Sequence, residues 1–326
     1  MTLRRRQFLR LAGAVAAMPF APNVVRAQGW PNKTIRVIAP FSAGSTVDVV
    51  GRLLIDPLSQ ILGQTMVLEN RVGAGGMTGA TLVARGDPDG YTLLINSSAH
   101  SAIPAIYPNV VYDTARDFAA VTSLGSSPNV TVVSPEKGFK TLKDLVTAAK
   151  SRPGGLTFAT AGVGSATHLS TERFRVAAGF EAIHVPFKGM PEALTEVMTG
   201  RVDFTCSSIA PAIPLIREGK VTALAVTTPK RSPALPDVPT SIEAGYPNSD
   251  YTFWVGMFVQ SKTPREIVDR LYQAVQKVLG TPGMEKRLAQ VGIDPMPITP
   301  QAFDALVAKE VAENIALVKA AGIKVQ

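Results

Sequence analysis

One cysteine, Cys206, stands in 326 residues, and the three histidines, His100, His168 and His184, share no metal-ligand spacing. A lone cysteine forms no internal disulfide, so stability must come from burying a core, which a chain of this length can supply. Within VDFTCSS, Cys206 reads as a small core residue at a strand end rather than a nucleophile. Without an HExxH pattern or paired histidines there is no zinc signature, and neither a metal nor a cofactor is expected. A GxSxG elbow, a phosphate-binding P-loop and paired carboxylates within one loop are also missing, which removes the common hydrolytic chemistries. Aromatics make up 6% and charged residues 18%, and no short repeat appears. The composition is that of a globular chain long enough for two domains.

A net charge of +8 suggests nucleic acid until the charge is located. Residues 1–27 carry Arg4, Arg5, Arg6, Arg10 and Arg26, an apolar run over 11–21, and a small-x-small end at Ala27. This is a signal peptide cleaved near Ala27, too short to persist as a membrane anchor, and it places the mature protein in the periplasm. RRRQFLR resembles a twin-arginine export signal, with a general secretory signal as the alternative. Without the five arginines, 28 basic residues face 25 acidic ones, a net of +3 over 299 residues. Nucleic acid is thereby excluded as a partner.

Short β-branched runs at 34–39, 66–68, 91–95, 129–133, 156–159, 182–185, 202–205, 222–226 and 254–259 read as strands, several apolar on both faces. Helical stretches lie between them. Ser45-x-x-Asp48 and Thr141-x-x-Asp144 read as capping boxes, and Thr263-Pro264-x-Glu266 puts proline at a first helical position. Strand–helix alternation predicts an α/β fold with a largely parallel sheet. Three helices at 263–279, 283–291 and 300–321 follow with no strand between them. The expectation is a two-domain chain: 28–125 opens the first domain, 126–250 builds the second, and 251–326 returns to finish the first. Two crossings make a hinge, with a ligand cleft between the domains.

Parallel sheets leave ligand sites at the carboxyl ends of their strands. Four loops there are rich in small residues: PFSAGSTVD (40–48), NSSAH (96–100), TAGVGSATH (160–168) and FKGMP (187–191). None contains arginine and only the last has a lysine, so an anion would be held by amides, hydroxyls and helix dipoles. Asp48 is the only acid among them, with loop ordering and ligand contact both open as its role. The stretch NRVGAGGMTGA (70–80) resembles a dinucleotide fingerprint, but its spacing is irregular and Asp87 and Asp89 sit in a turn; it reads as a structural strand-to-helix turn. An exported oxidoreductase of the Rossmann type, using NAD(P), stays as the rival reading.

The strings PFSAGSTVDVVGR, ENRVGAGGMTGATLVARGDPDGYTLL, VGSATHLSTE, HVPFKG and LAVTTPKRSPALPDVPTSIEAGYP, in that order over about 30–321, resemble the extracytoplasmic solute receptors of the tripartite tricarboxylate transporter type, the Bug family. The resemblance implies a type II periplasmic binding protein with two α/β domains closing on a small carboxylate, no catalysis, a membrane transporter as partner, and a monomer. It implies that main-chain amides of the first loop and a facing loop hold the carboxylate, partly through ordered water. Carried onto this chain, the contacts are Phe41, Ala43, Gly44, Ser45 and Asp48, opposed by Gly164, Ser165, Thr167 and His168. Asn96, Ser97 and Ser98 match a third contact region more loosely, and Phe187, Lys188 and Ser207 would line the second-domain wall. Many relatives read Gly-Gly where this chain has Gly44-Ser45, so Ser45 either adds a hydroxyl contact or caps its helix. A di- or tricarboxylate, an amino acid or an aromatic acid all fit as ligand. A receptor feeding a membrane sensor would share the same site.

Overall fold

The computed structural model describes residues 29–152 and 154–323; the leader, with its twin-arginine motif and Ala27 cleavage point, lies outside them. β1 (Ile35–Ala39), β2 (Met66–Asn70) and β3 (Thr92–Ser97) pair in parallel, with β1 in the middle. The inward residues of β1 and β3 are fully buried, as strands covered on both faces require, while the edge strand β2 is only partly covered. The return strand β9 (Thr252–Gln260) runs antiparallel to β3, and β4 (Phe118–Val133) runs antiparallel to β9.

β4 joins the two halves. Its residues 118–128 pair with β9, whereas Asn129–Val133 pair with β7 (Phe204–Ser208) on one side and β8 (Thr222–Val226) on the other. Beyond β7 lie β5 (Leu156–Thr160) and β6 (Ala182–Pro186), both parallel. The order β2-β1-β3-β9-β4-β7-β5-β6 is therefore one curled sheet with two lobes. Sequence reading began this strand at 129 and missed residues 118–128. That stretch carries Thr122, Ser123, Gly125, Ser126, Ser127 and Pro128, poor strand formers whose extended form is imposed by pairing on both sides. Gly125 has φ +158, and a Cβ there would collide with Ile293, so the chain passes only as glycine. Beside it, Ser126 exchanges two backbone hydrogen bonds with Asp294, at 2.9 and 2.8 Å.

Both crossings between the lobes are tied to Thr227. Its N–H donates to Asn129 O (2.9 Å) and its carbonyl accepts from Tyr251 N–H (2.8 Å). Its hydroxyl accepts from Asn129 N–H and donates to Tyr251 O.

The helix α1 (Thr46–Leu62) starts at the Ser45 cap and ends at Gly63 in the left-handed conformation; α2 (Met77–Ala84) and α3 (Ile103–Ile106) follow in the first lobe. The second lobe carries α4 (Leu142–Ser151), α5 (Ala166–Ala178), α6 (Met190–Met198) and α7 (Ile209–Arg217). At α4 the Thr141 capping box is complete. At α1 it is not: Asp48 accepts from Gly44 N–H, one residue upstream of the cap. The three final helices are α8 (Arg265–Leu279), α9 (Pro282–Gln290) and α10 (Pro300–Ala321), and Pro264 caps α8 instead of opening it.

α10 packs Phe303 onto β9, where Gly256 leaves room for the ring, and Trp254 donates its indole N–H to Glu310 at 2.9 Å. Burying such a ring stabilises by roughly 1.5–3 kcal/mol. The far end of α10 reaches the second lobe, where Arg175 donates to Ala321 O at 2.8 Å. Among the described residues no helix is long and apolar enough to cross a membrane.

Candidate functional site

The loops before α1 and α5 are the same turn built twice. Gly44 (φ +79) and Gly164 (φ +78) both adopt the left-handed conformation, which suits glycine. Each is followed by an extended serine cap, with ψ 159 at Ser45 and 157 at Ser165. Ser45 N–H donates to Ser42 O and Ser165 N–H to Gly162 O, both at 3.1 Å. Each serine hydroxyl accepts from the amide three residues on, Asp48 or His168. Each glycine amide then donates to the side chain at that position: Gly44 to Asp48 Oδ2 at 2.9 Å, Gly164 to His168 Nδ1 at 3.2 Å.

The first amides of a helix have no acceptor inside it, and the helix dipole makes that end positive. In α1 these belong to Thr46 and Val47, and in α5 to Ala166 and Thr167. All four residues line one cavity, with Ser45 and Ser165 beside them. Phe41, Ser97, Ala161, Met190, Ser208 and Phe253 complete it, and among the described residues no Lys, Arg or His side chain enters.

Asp48 and His168 stand behind this surface. Asp48 Oδ1 accepts from Asn70 Nδ2 and Arg52 Nε, both at 3.0 Å. Burial pushes its carboxyl up, but Arg52, the Gly44 amide and Asn70 hold it below the usual range, as an anion. Because His168 Nδ1 accepts from Gly164, its proton is on Nε2, facing Glu172 at 3.7 Å. The ring stacks on His184 at 4.1 Å. Burial, the His184 charge and the Arg175 charge keep His168 neutral, well below its ordinary pKa. Both side chains order their loops and neither lines the cavity.

Other expected contacts divide similarly. Ser97 lines the cavity. Asn96 turns its carbonyl onto Ser97 N–H at 2.8 Å and its amide toward His100, and Ser98 accepts from Tyr251 OH at 3.0 Å. Ala43 and Gly44 are exposed on the loop's outer side. Phe187 and Lys188 line a separate space at the mouth, with Phe41, Ala161 and Tyr107. Ser207 points away and donates to Ser208 O, and Ser208 takes the wall position instead. The strand runs three residues further than the sequence suggested, and the two-residue alternation gives that face to Ser208. Cys206 is buried beside Thr131, and burial raises its thiol pKa, as suits a core residue.

The glycine-rich stretch over 73–76, read as a structural turn, also faces the mouth. A Cβ on Gly75 would collide with Val163 O, and one on Gly76 would lie 3.3 Å from the Phe41 ring. Beside them Tyr107 OH donates to Val163 O at 3.0 Å. First-lobe loops thus touch second-lobe loops directly.

The family described as "Tripartite tricarboxylate transporter family receptor" matches residues 50–323. A UPF0065 protein in the tcbD-tcbE intergenic region of Pseudomonas sp. (strain P51) is 36% identical over 285 residues, 87% of this chain and 85% of that protein. The structure of the periplasmic binding protein BugD is 33% identical with a TM-score of 0.87, covering 91% of this chain and all of the other. MatC from Rhodopseudomonas palustris, solved with bound malate, is 33% identical with a TM-score of 0.85, covering 89% and 100%.

Proposed function

The chain belongs to the family of tripartite tricarboxylate transporter receptors, and from that premise we propose that it captures a small organic carboxylate in the periplasm and hands it to a membrane transporter of that type. One observation carries the reading: two helix starts, one from each lobe, converge on a single cavity that no cationic side chain enters among the described residues. Each contributes roughly half a positive charge and two free amides, which suits one carboxylate between them. The bound malate of MatC is consistent with a ligand of this class.

In this reading the carboxylate meets the amides of Thr46, Val47, Ala166 and Thr167 and the hydroxyls of Ser45 and Ser165. Asp48 and His168 shape the loops, and Phe41, Ser97 and Ser208 wall the ligand in. The first domain comprises 28–125 and 251–326, the second 126–250, and the receptor works as a monomer, exported by the leader ending at Ala27. A ligand favours closure only by binding the closed state better than the open one, so it must touch both lobes. No step of this function needs a catalytic group.

Titration calorimetry of the protein isolated from periplasm, against malate, succinate, citrate, aspartate and benzoate, tests it. Saturable one-to-one binding of at least one acid is expected, with no quenching of NADPH fluorescence. Silence from every acid, or saturable NADPH binding, would overturn the reading.

A further inference from the structure

Behind the cavity runs β4, paired with the strands that supply its wall residues Phe253 and Ser208. Ser127 and Asn129 are two residues apart on this strand and so share a face. Ser127 stands opposite Phe253 and Asn129 opposite Ser208. Directly opposed residues project on the same side, and Phe253 and Ser208 both line the cavity. Thr46 approaches the same space from the start of α1.

The polar atoms of these three side chains have no partners. Ser127 Oγ, Thr46 Oγ1, and both Oδ1 and Nδ2 of Asn129 are buried and make no hydrogen bond among the described residues. Asn129 is 0% exposed, Ser127 and Thr46 2% each. Buried polar atoms are nearly always paired, and a carboxamide idle at both ends is rare in a stable core. The contrast with Asn96 is direct, since both ends of its amide are engaged within its own loop. Thr46 lines the cavity, and Ser127 and Asn129 stand directly behind its wall, each opposite a lining residue, so these idle atoms point to something that enters there.

Their chemistry narrows what that is. A carboxamide donates at one end and accepts at the other, and each hydroxyl does both. The two helix ends together supply about one positive charge, which the first carboxylate uses. A second buried anion would meet no cation on this wall and would lose its hydration uncompensated. Resting on the carboxylate reading above, we propose that Thr46, Ser127 and Asn129 form a second recognition point that reads a neutral, hydrogen-bonding group at the ligand's far end. The receptor then selects small acids carrying a carboxamide or hydroxyl there.

Three probes of nearly one shape test this by calorimetry on the native protein: 4-methylpentanoate, succinamate and succinate. Succinamate should bind at least tenfold more tightly than either of the others. Asn129→Leu should erase its advantage over 4-methylpentanoate while the ligand-free melting temperature stays level or rises, because an unpaired buried amide has been replaced by an apolar group of similar size. Should that variant fail to fold, Ser127→Ala must cut the succinamate advantage at least threefold. The proposal is overturned if succinate or 4-methylpentanoate binds native protein as well as succinamate, if Asn129→Leu weakens all three alike, or if Ser127→Ala leaves the advantage intact. It also falls if all three probes are silent while another acid from the calorimetric panel binds. Silence from every acid overturns the carboxylate reading itself.

Discussion

Replacing Gly75 by alanine perturbs closure more than folding. Gly75 has φ +60 and lies against the backbone of Val163 in the opposite lobe, where a Cβ would collide with the carbonyl. Two costs follow and they separate. Forcing an L-residue into the left-handed conformation costs roughly 1–2 kcal/mol whether the lobes are open or shut. The collision exists only when they are shut. Relieving it moves the mouth loops apart and breaks the Tyr107 OH bond to Val163 O, 3.0 Å long and worth about 0.5–1.5 kcal/mol. Because about 1.4 kcal/mol is tenfold in affinity, Gly75→Ala should weaken ligand binding about three- to tenfold or more and lower apo melting by a few degrees. Gly63→Ala is the control: φ is +73 and nothing lies within 4 Å of its Cβ. It should show a similar melting loss with affinity unchanged. Calorimetry and thermal melting on both variants decide the matter. Native affinity in Gly75→Ala would refute contact between these loops in the bound state.

Ser208→Ala should weaken ligand binding severalfold, whereas Ser207→Ala, whose hydroxyl bonds to Ser208 O, should leave affinity within about twofold and cost about 1 kcal/mol of stability; equal effects on affinity would refute the register given to β7. Acid should destabilise the fold. Burial holds His100 at about 3 and His184 at about 4, and His168 well below its ordinary value, so below about pH 6.5 the unfolded chain takes up protons that the folded one refuses. Glu310, raised to about 7 by burial, works the other way, because the folded acid keeps a proton that the unfolded one has already released. Three histidines against one glutamate leave a loss approaching about 2.7 kcal/mol per pH unit near pH 5; Glu172, Asp294 and Asp304, also raised by burial, trim it at the acid end. A urea midpoint that stays level or climbs from pH 7 to 5.5 would contradict this.

Much of the architecture was legible because it is written in local chemistry. Buried β-branched runs marked the parallel strands, and Ser45 and Thr141, read as caps, each cap a helix; the matching cap at Ser165 was not read. Residues 118–128 were illegible: Ser126, Ser127 and Pro128 read as loop, and only β9 on one flank and Asp294 on the other hold them extended. Losing that stretch also hid Ser127. Within the site, the loops were found from their small residues, but which side chains face the cavity depends on register and turn geometry. Asp48 and His168 look like ligand groups by type; the Gly44 and Gly164 amides claim them. Phe253 carried no signal beyond being apolar, and only the folded sheet brings it to the cavity.

The most direct test of two helix starts sharing one carboxylate is the crystal structure of the receptor with its tightest-binding acid. Carboxylate oxygens about 3 Å from main-chain nitrogens at the first turns of both α1 and α5 are expected. An acid held by one lobe alone, or paired with Lys188 at the mouth, would contradict the account.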